Sequence, residues 1–118
     1  IEILYEYTMD GQHFTGKRLV TVEPIPETFA LGQNFPNPFN PITNIFYDLP
    51  VDSKIELVIY DILGRKVITL INGFQEKGYK TVKWKGLDQN GIKVSSGIYF
   101  YRLLSEDYMA TKKMIYLK

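Results

Sequence analysis

Few side chains in this sequence could do chemistry, and their spacing limits what that chemistry would be. His13 is the sole histidine and cysteine is absent, which excludes a thiol nucleophile, a disulfide and a cysteine-based zinc site. A Ser-His-Asp triad would have to run through His13, beside the turn signal Asp10-Gly11, and no G-x-S-x-G elbow occurs. Asp48, Asp52, Asp61, Asp88 and Asp107 could supply the paired carboxylates of a glycosidase, yet each falls at a strand end, where turns favour aspartate. Asp88-Gln89-Asn90-Gly91 opens like a calcium loop but lacks the later acidic ligand, so it reads as a turn. No glycine-rich phosphate cradle is present. Pro38-Phe39-Asn40-Pro41 fits a P-x-x-P ligand pattern, although its phenylalanine is better explained as core. Tyr99, Tyr101, Tyr108 and Tyr116 could line a sugar-binding face; their β preference reads instead as half-buried strand positions. The residue chemistry points to a non-catalytic module with no cofactor and no metal.

The elements that would carry these residues are strands. Nine tyrosines and seven phenylalanines stand against two alanines in 118 residues, and 45% of the chain is hydrophobic. That favours pleated surfaces over helices and supports one real core. The net charge of +1 leaves no nucleic-acid footprint. No apolar run approaches the ~20 residues that span a bilayer as a helix. The chain starts at Ile1 rather than Met and reads as the C-terminal piece of a longer protein.

Residues 1–23 look like a hairpin around Asp10-Gly11, with 17–22 as the return strand. It would be the remnant of a preceding domain, packed on its own sandwich or on a neighbouring chain. Pro24-Ile25-Pro26-Glu27-Thr28 reads as a linker, dividing a segment 1–24 from a domain 25–118. The proline-rich run 35–41 forbids a helix; it should be an extended lead-in anchored by Phe35 and Phe39. Seven strands then follow, over 43–49, 54–60, 66–71, 79–85, 92–94, 98–104 and 109–117. Ile45, Tyr47 and Leu49 share one face, as do Ile55, Leu57 and Ile59. Gly64 supplies positive φ in the connection 61–65, and Asn72-Gly73 with Lys77-Gly78 bounds a loop. The expected fold is an all-β, immunoglobulin-like β-sandwich of about seven antiparallel strands behind a β-hairpin, with Trp84 plugging the core.

A longer pattern now stands out. Leu31-Gly32-Gln33-Asn34-Phe35-Pro36-Asn37-Pro38-Phe39-Asn40-Pro41, then Tyr60-Asp61-Ile62-Leu63-Gly64-Arg65, then Trp84 with Gly86 and Asp88, and finally Ser96-Gly97-Ile98-Tyr99 and Lys112-Lys113-Met114-Ile115, resemble in order the type A C-terminal sorting domain of type IX secretion. The resemblance implies Asn34, Pro36, Asn37, Pro38, Phe39, Asn40, Pro41, Asp61, Gly64 and Trp84 as structural motif residues. It implies a sorting signal in the last strands, at Gly97, Ile98, Tyr99, Lys113, Met114, Ile115, Leu117 and Lys118. It also implies a cargo protein of a Bacteroidetes-like bacterium, exported through the periplasm to the cell surface or medium. The implied partners are an outer-membrane translocon and a sortase-like peptidase that cuts in the linker. The alternative reading is a structural or carbohydrate-binding accessory module. A terminal edge strand would offer unpaired backbone groups to a partner, and its lysines would restrain self-association.

Overall fold

A computed structural model describes residues 2–9, 12–19 and 24–118. β1 (Glu2–Met9) and β2 (Gln12–Leu19) pair antiparallel, from Glu2 opposite Leu19 to Met9 opposite Gln12. The return strand thus begins at Gln12, ahead of the expected 17, because pairing propagates outward from the tip. The Asp10-Gly11 turn, residues 20–23 and the hairpin side chains, His13 included, lie outside the described residues.

Seven further strands form two antiparallel sheets. β3 (Ala30–Leu31), β4 (Thr43–Leu49) and β7 (Gly78–Trp84) make a three-stranded sheet in the order β3-β4-β7. β5 (Ser53–Asp61), β6 (Lys66–Gln75), β8 (Gly97–Leu104) and β9 (Met109–Tyr116) make a four-stranded sheet in the order β6-β5-β8-β9. The period-two alternation along β4 and β5 places Ile45, Tyr47, Leu49, Ile55, Leu57 and Ile59 in a core shared with Trp84, Tyr101, Leu103 and Met114. This is the packing of a β-sandwich.

The count of seven holds, but its members change. Residues 92–94 form no strand; Lys93 makes only an isolated bridge with Leu87, and Ile92 is exposed. β3 takes the seventh place. β6 runs through Asn72-Gly73 to Gln75, because Ser53, Lys54, Ile55 and Glu56 of β5 require partners there. Both outer strands of the larger sheet are protected. β6 carries two register shifts, its Val67 carbonyl accepts Gln89 N–H (3.0 Å), and its Thr69 N–H donates to Gln89 Oε1 (3.1 Å). The lead-in segment guards β9.

Candidate recognition site

Residues 29–39 run beside β9 in the same direction. Phe29 stacks on Tyr108 just before β9, with ring centroids 5.4 Å apart. Further along, Gln33 Nε2 donates to the Lys113 carbonyl (3.0 Å) and Ile115 N–H donates to Asn37 Oδ1 (2.9 Å). Phe39 then forms a parallel bridge with Tyr116: its N–H reaches the Ile115 carbonyl (3.0 Å), and Leu117 N–H reaches its carbonyl (2.9 Å). The terminal edge expected to be free is therefore occupied over 113–117. The sequence could not reveal this, since the contacts join residues about eighty positions apart.

The proline-rich motif is built for that task. Prolines deny the segment a ladder of its own, so side chains hold it. Asn34 is buried; its Nδ2 donates to Thr43 Oγ1 (2.9 Å) and the Pro36 carbonyl (3.3 Å), which also accepts Thr43 Oγ1–H (2.8 Å). Its backbone N–H donates to the Tyr101 hydroxyl (2.9 Å), which donates onward to the Gly32 carbonyl (2.7 Å). Burial pushes that hydroxyl's pKa up, against the opposing effect of the Asn34 hydrogen bond. Phe39 is the anchor, 1% exposed; Phe35, expected to share that role, is 70% exposed and holds on through backbone bonds to Asn44. Pro36, Pro38, Asn40 and Pro41 have exposed side chains.

Phe39 also builds the slot for the last residue of β9. The Tyr116 ring stacks on Phe39 at 4.9 Å and meets Trp84 edge-on at 6.4 Å. Gly86, at φ +69°, forms its wall; a Cβ there would lie 2.9 Å from the ring. Tyr99 packs edge-on against Trp84 at 5.2 Å and donates its hydroxyl to the Ser95 carbonyl (2.6 Å). Tyr99, Tyr101 and Tyr116 are thus core residues and line no sugar-binding face, while Tyr108 is half-buried against Phe29.

Tyr116 sits at one pole of the sandwich. The pairings Asp61–Tyr99 and Gly97–Tyr116 bring the end of β5, the start of β8 and the end of β9 to this pole. A cleft of about 520 Å³ opens there between three loops, 61–66, 88–90 and 94–98. Two of these loops are capped by aspartates. Asp61 Oδ1 accepts Leu63 N–H (3.0 Å) and Arg65 N–H (2.9 Å), and Oδ2 accepts Arg65 Nε–H (2.8 Å). Gly64, at φ +80°, closes the turn as expected. Asp88 Oδ1 accepts the Asn90 and Ile92 amides, which makes it a turn cap. Among the described residues, no three His, Cys, Asp or Glu side chains gather where they could hold a metal ion. The rim of the cleft presents Ile62, Leu63 and Ile98 to solvent.

The Arg65 amide and side chain, with the Leu63 amide, hold the Asp61 carboxyl below its ordinary 3.8, against partial desolvation. A carboxyl so lowered stabilises its loop fully above the ordinary value and loses that contribution as pH falls below it. Amide exchange at Leu63 and Arg65, corrected for intrinsic rate, should accelerate as pH drops through this window. Protection that stays flat would rule out the cap.

The expected signal residues divide between surface and core. Gly97, Ile98, Lys113, Leu117 and Lys118 are exposed and Ile115 is half-buried, whereas Tyr99 and Met114 lie in the core. Register joins Ile98 to Ile115 directly. Sequence reasoning missed Gln33, Thr43, Gly86 and Gln89 as positioning residues. Only the polar side chains crowded among the prolines hinted at the first two.

The motif residues of this β-sandwich thus go into bracing β9 and the loops at one pole. A family model, the secretion system C-terminal sorting domain, matches residues 33–117; the chain belongs to this family, the type IX sorting family its motifs resemble. It is a sorting domain of an exported protein, bound for the cell surface or medium, and has no catalytic role. No curated protein matches the sequence. Solved structures of other proteins share the fold. Dimeric latent PorU from Porphyromonas gingivalis is 22% identical with a TM-score of 0.62, over 90% of this chain and 11% of that one. PorZ, an essential surface component of the type-IX secretion system of the same organism, is 20% identical with a TM-score of 0.53, over 73% of this chain and 11% of that one.

Proposed function

We propose that residues 25–118 form a sorting domain of the immunoglobulin type, read at the pole opposite the one where its linker arrives. One observation carries this reading. Phe29, directly after the linker, packs beside Tyr108 and the turn 51–54, at the start of β5 and β9. Four of the five exposed members of the expected signal, Gly97, Ile98, Leu117 and Lys118, cluster near the other end, roughly 26 Å away at ~3.3 Å per residue of β5, while Lys113 lies further along β9 opposite Phe100. A translocon could hold this pole while cargo hangs from the other. Residues 24, 25, 27 and 28 are exposed, and only Pro26 of the linker is buried, so a sortase-like peptidase would find its bond there. The immunoglobulin type is supported by a lead-in strand that leaves β4 in one sheet and joins β9, in parallel, in the other.

Deleting 113–118 would test the signal poorly, because Met114 and Tyr116 are core. Surface substitutions test it cleanly. The full chain is placed behind a periplasm-directed fluorescent protein in a type IX-competent host, with a translocon-deficient strain as control. The reporter should leave the cell only in the competent strain. Ile98→Asp combined with Leu117→Asp should cut export by about tenfold, roughly 1.4 kcal/mol of lost recognition, with the melting temperature held. Undiminished export of that folded variant would overturn the reading.

A further inference from the structure

We propose that the outer edge of β9 is a masked docking edge for an extended, acidic segment of the export machinery, and that Gln33 and Asn37 are its built-in competitor. The proposal rests on the sorting function above and names how the domain is engaged. Residues 113, 115 and 117 turn backbone groups away from β8. A neighbouring strand would meet them with alternating donors and acceptors. Two of the groups that do so here are side chains: Gln33 Nε2 stands where a strand N–H would, and Asn37 Oδ1 where a strand carbonyl would. Both residues are exposed, so exchanging them for a real strand uncovers little apolar surface. Phe39, 1% exposed, stays fixed and ends the exchangeable stretch. Two residues before Lys113, Thr111 faces the same side, and no hydrogen bond of its backbone toward that side is found among the described residues. The incoming strand would gain these pairings as well. Exposed Lys113 and Lys118, with half-buried Lys112 nearby, favour acidic side chains on the partner.

The absence of native cysteine makes a clean test available. Asn37→Cys with Ile115→Cys would staple the mask to the edge in the oxidising periplasm. Glu56→Cys with Asn72→Cys would staple the cross-strand pair between β5 and β6, leaving the β9 edge untouched. Each goes into the full chain behind the periplasm-directed reporter, with the four single-cysteine variants alongside. The mask staple should lower export at least about tenfold below its own two single-cysteine variants, while the control staple exports like its own two. Export of the mask-stapled chain at the rate of its single-cysteine variants overturns the proposal. Loss of export with both staples also overturns it, since unfolding rather than edge exposure would then be required. Gln33→Ala with Asn37→Ala supplies the converse: removing the two competing hydrogen bonds should raise the export rate by about fivefold, and a folded variant exported no faster than the parent counts against the mask. If the parent itself never leaves the competent strain, the sorting reading has failed, which these variants do not mimic.

Discussion

Replacing Trp84 with alanine should lower the unfolding free energy by about 3–5 kcal/mol, a large share of the ~5–15 kcal/mol that holds a typical domain. The indole is 1% exposed and touches three other rings: Tyr99 at 5.2 Å, Phe39 at 5.5 Å and Tyr116 at 6.4 Å. Truncation removes its buried area, leaves a cavity between the sheets, and strands the Leu87 carbonyl that accepts the indole N–H at 2.9 Å. Trp84→Phe keeps most of the packing but not that hydrogen bond, so it should lose only about 1–3 kcal/mol. Urea unfolding followed by tyrosine fluorescence separates the two. A loss below about 1 kcal/mol for the alanine variant would show that Trp84 is not the core plug.

Gly86→Ala should be the most damaging of the single-methyl changes. Left-handed backbone costs an alanine about 1–2 kcal/mol, and the new Cβ would sit 2.9 Å from the Tyr116 ring. Forcing that ring from its slot adds about 1–3 kcal/mol. Gly64→Ala isolates the backbone contribution, because Gly64 has a similar φ of +80° and nothing within 4 Å of its Cβ position. The two variants should differ by the packing cost alone. Equal losses would dissolve the argument for the Tyr116 slot. Amide exchange at Leu117 should rise in the Gly86 variant beyond what global destabilisation explains, because displaced Tyr116 loosens the bridge to Phe39.

What the sequence disclosed follows from what period and local chemistry encode. The alternation along Thr43–Leu49 and Ser53–Asp61 names their buried faces directly, and Asp61 and Gly64 announce their turn by type. Asn72-Gly73 misled because turn propensity is local while the ladder with β5 is not. Phe35 and Phe39 were indistinguishable by composition; only the position of Trp84 and Tyr116 decides which one is buried. The site was half legible. Alternation placed the residues of β8 and β9 on their faces, yet the guard over the β9 backbone depends on side-chain bonds spanning almost the whole domain.

The parallel course of residues 29–39 and β9 has a mechanical consequence. Phe29 stands at one pole, and β9 ends at the other. Tension applied between cargo and strand end therefore pulls these two segments lengthwise past each other. The bonds at Lys113, Ile115 and Leu117 carry that load together, in shear, instead of opening one after another as in a peeled hairpin. Phe39 and Tyr116, stacked across the junction, add resistance at the point where the load is greatest. A domain so clamped bears force well along its own axis and yields readily to a pull from the side.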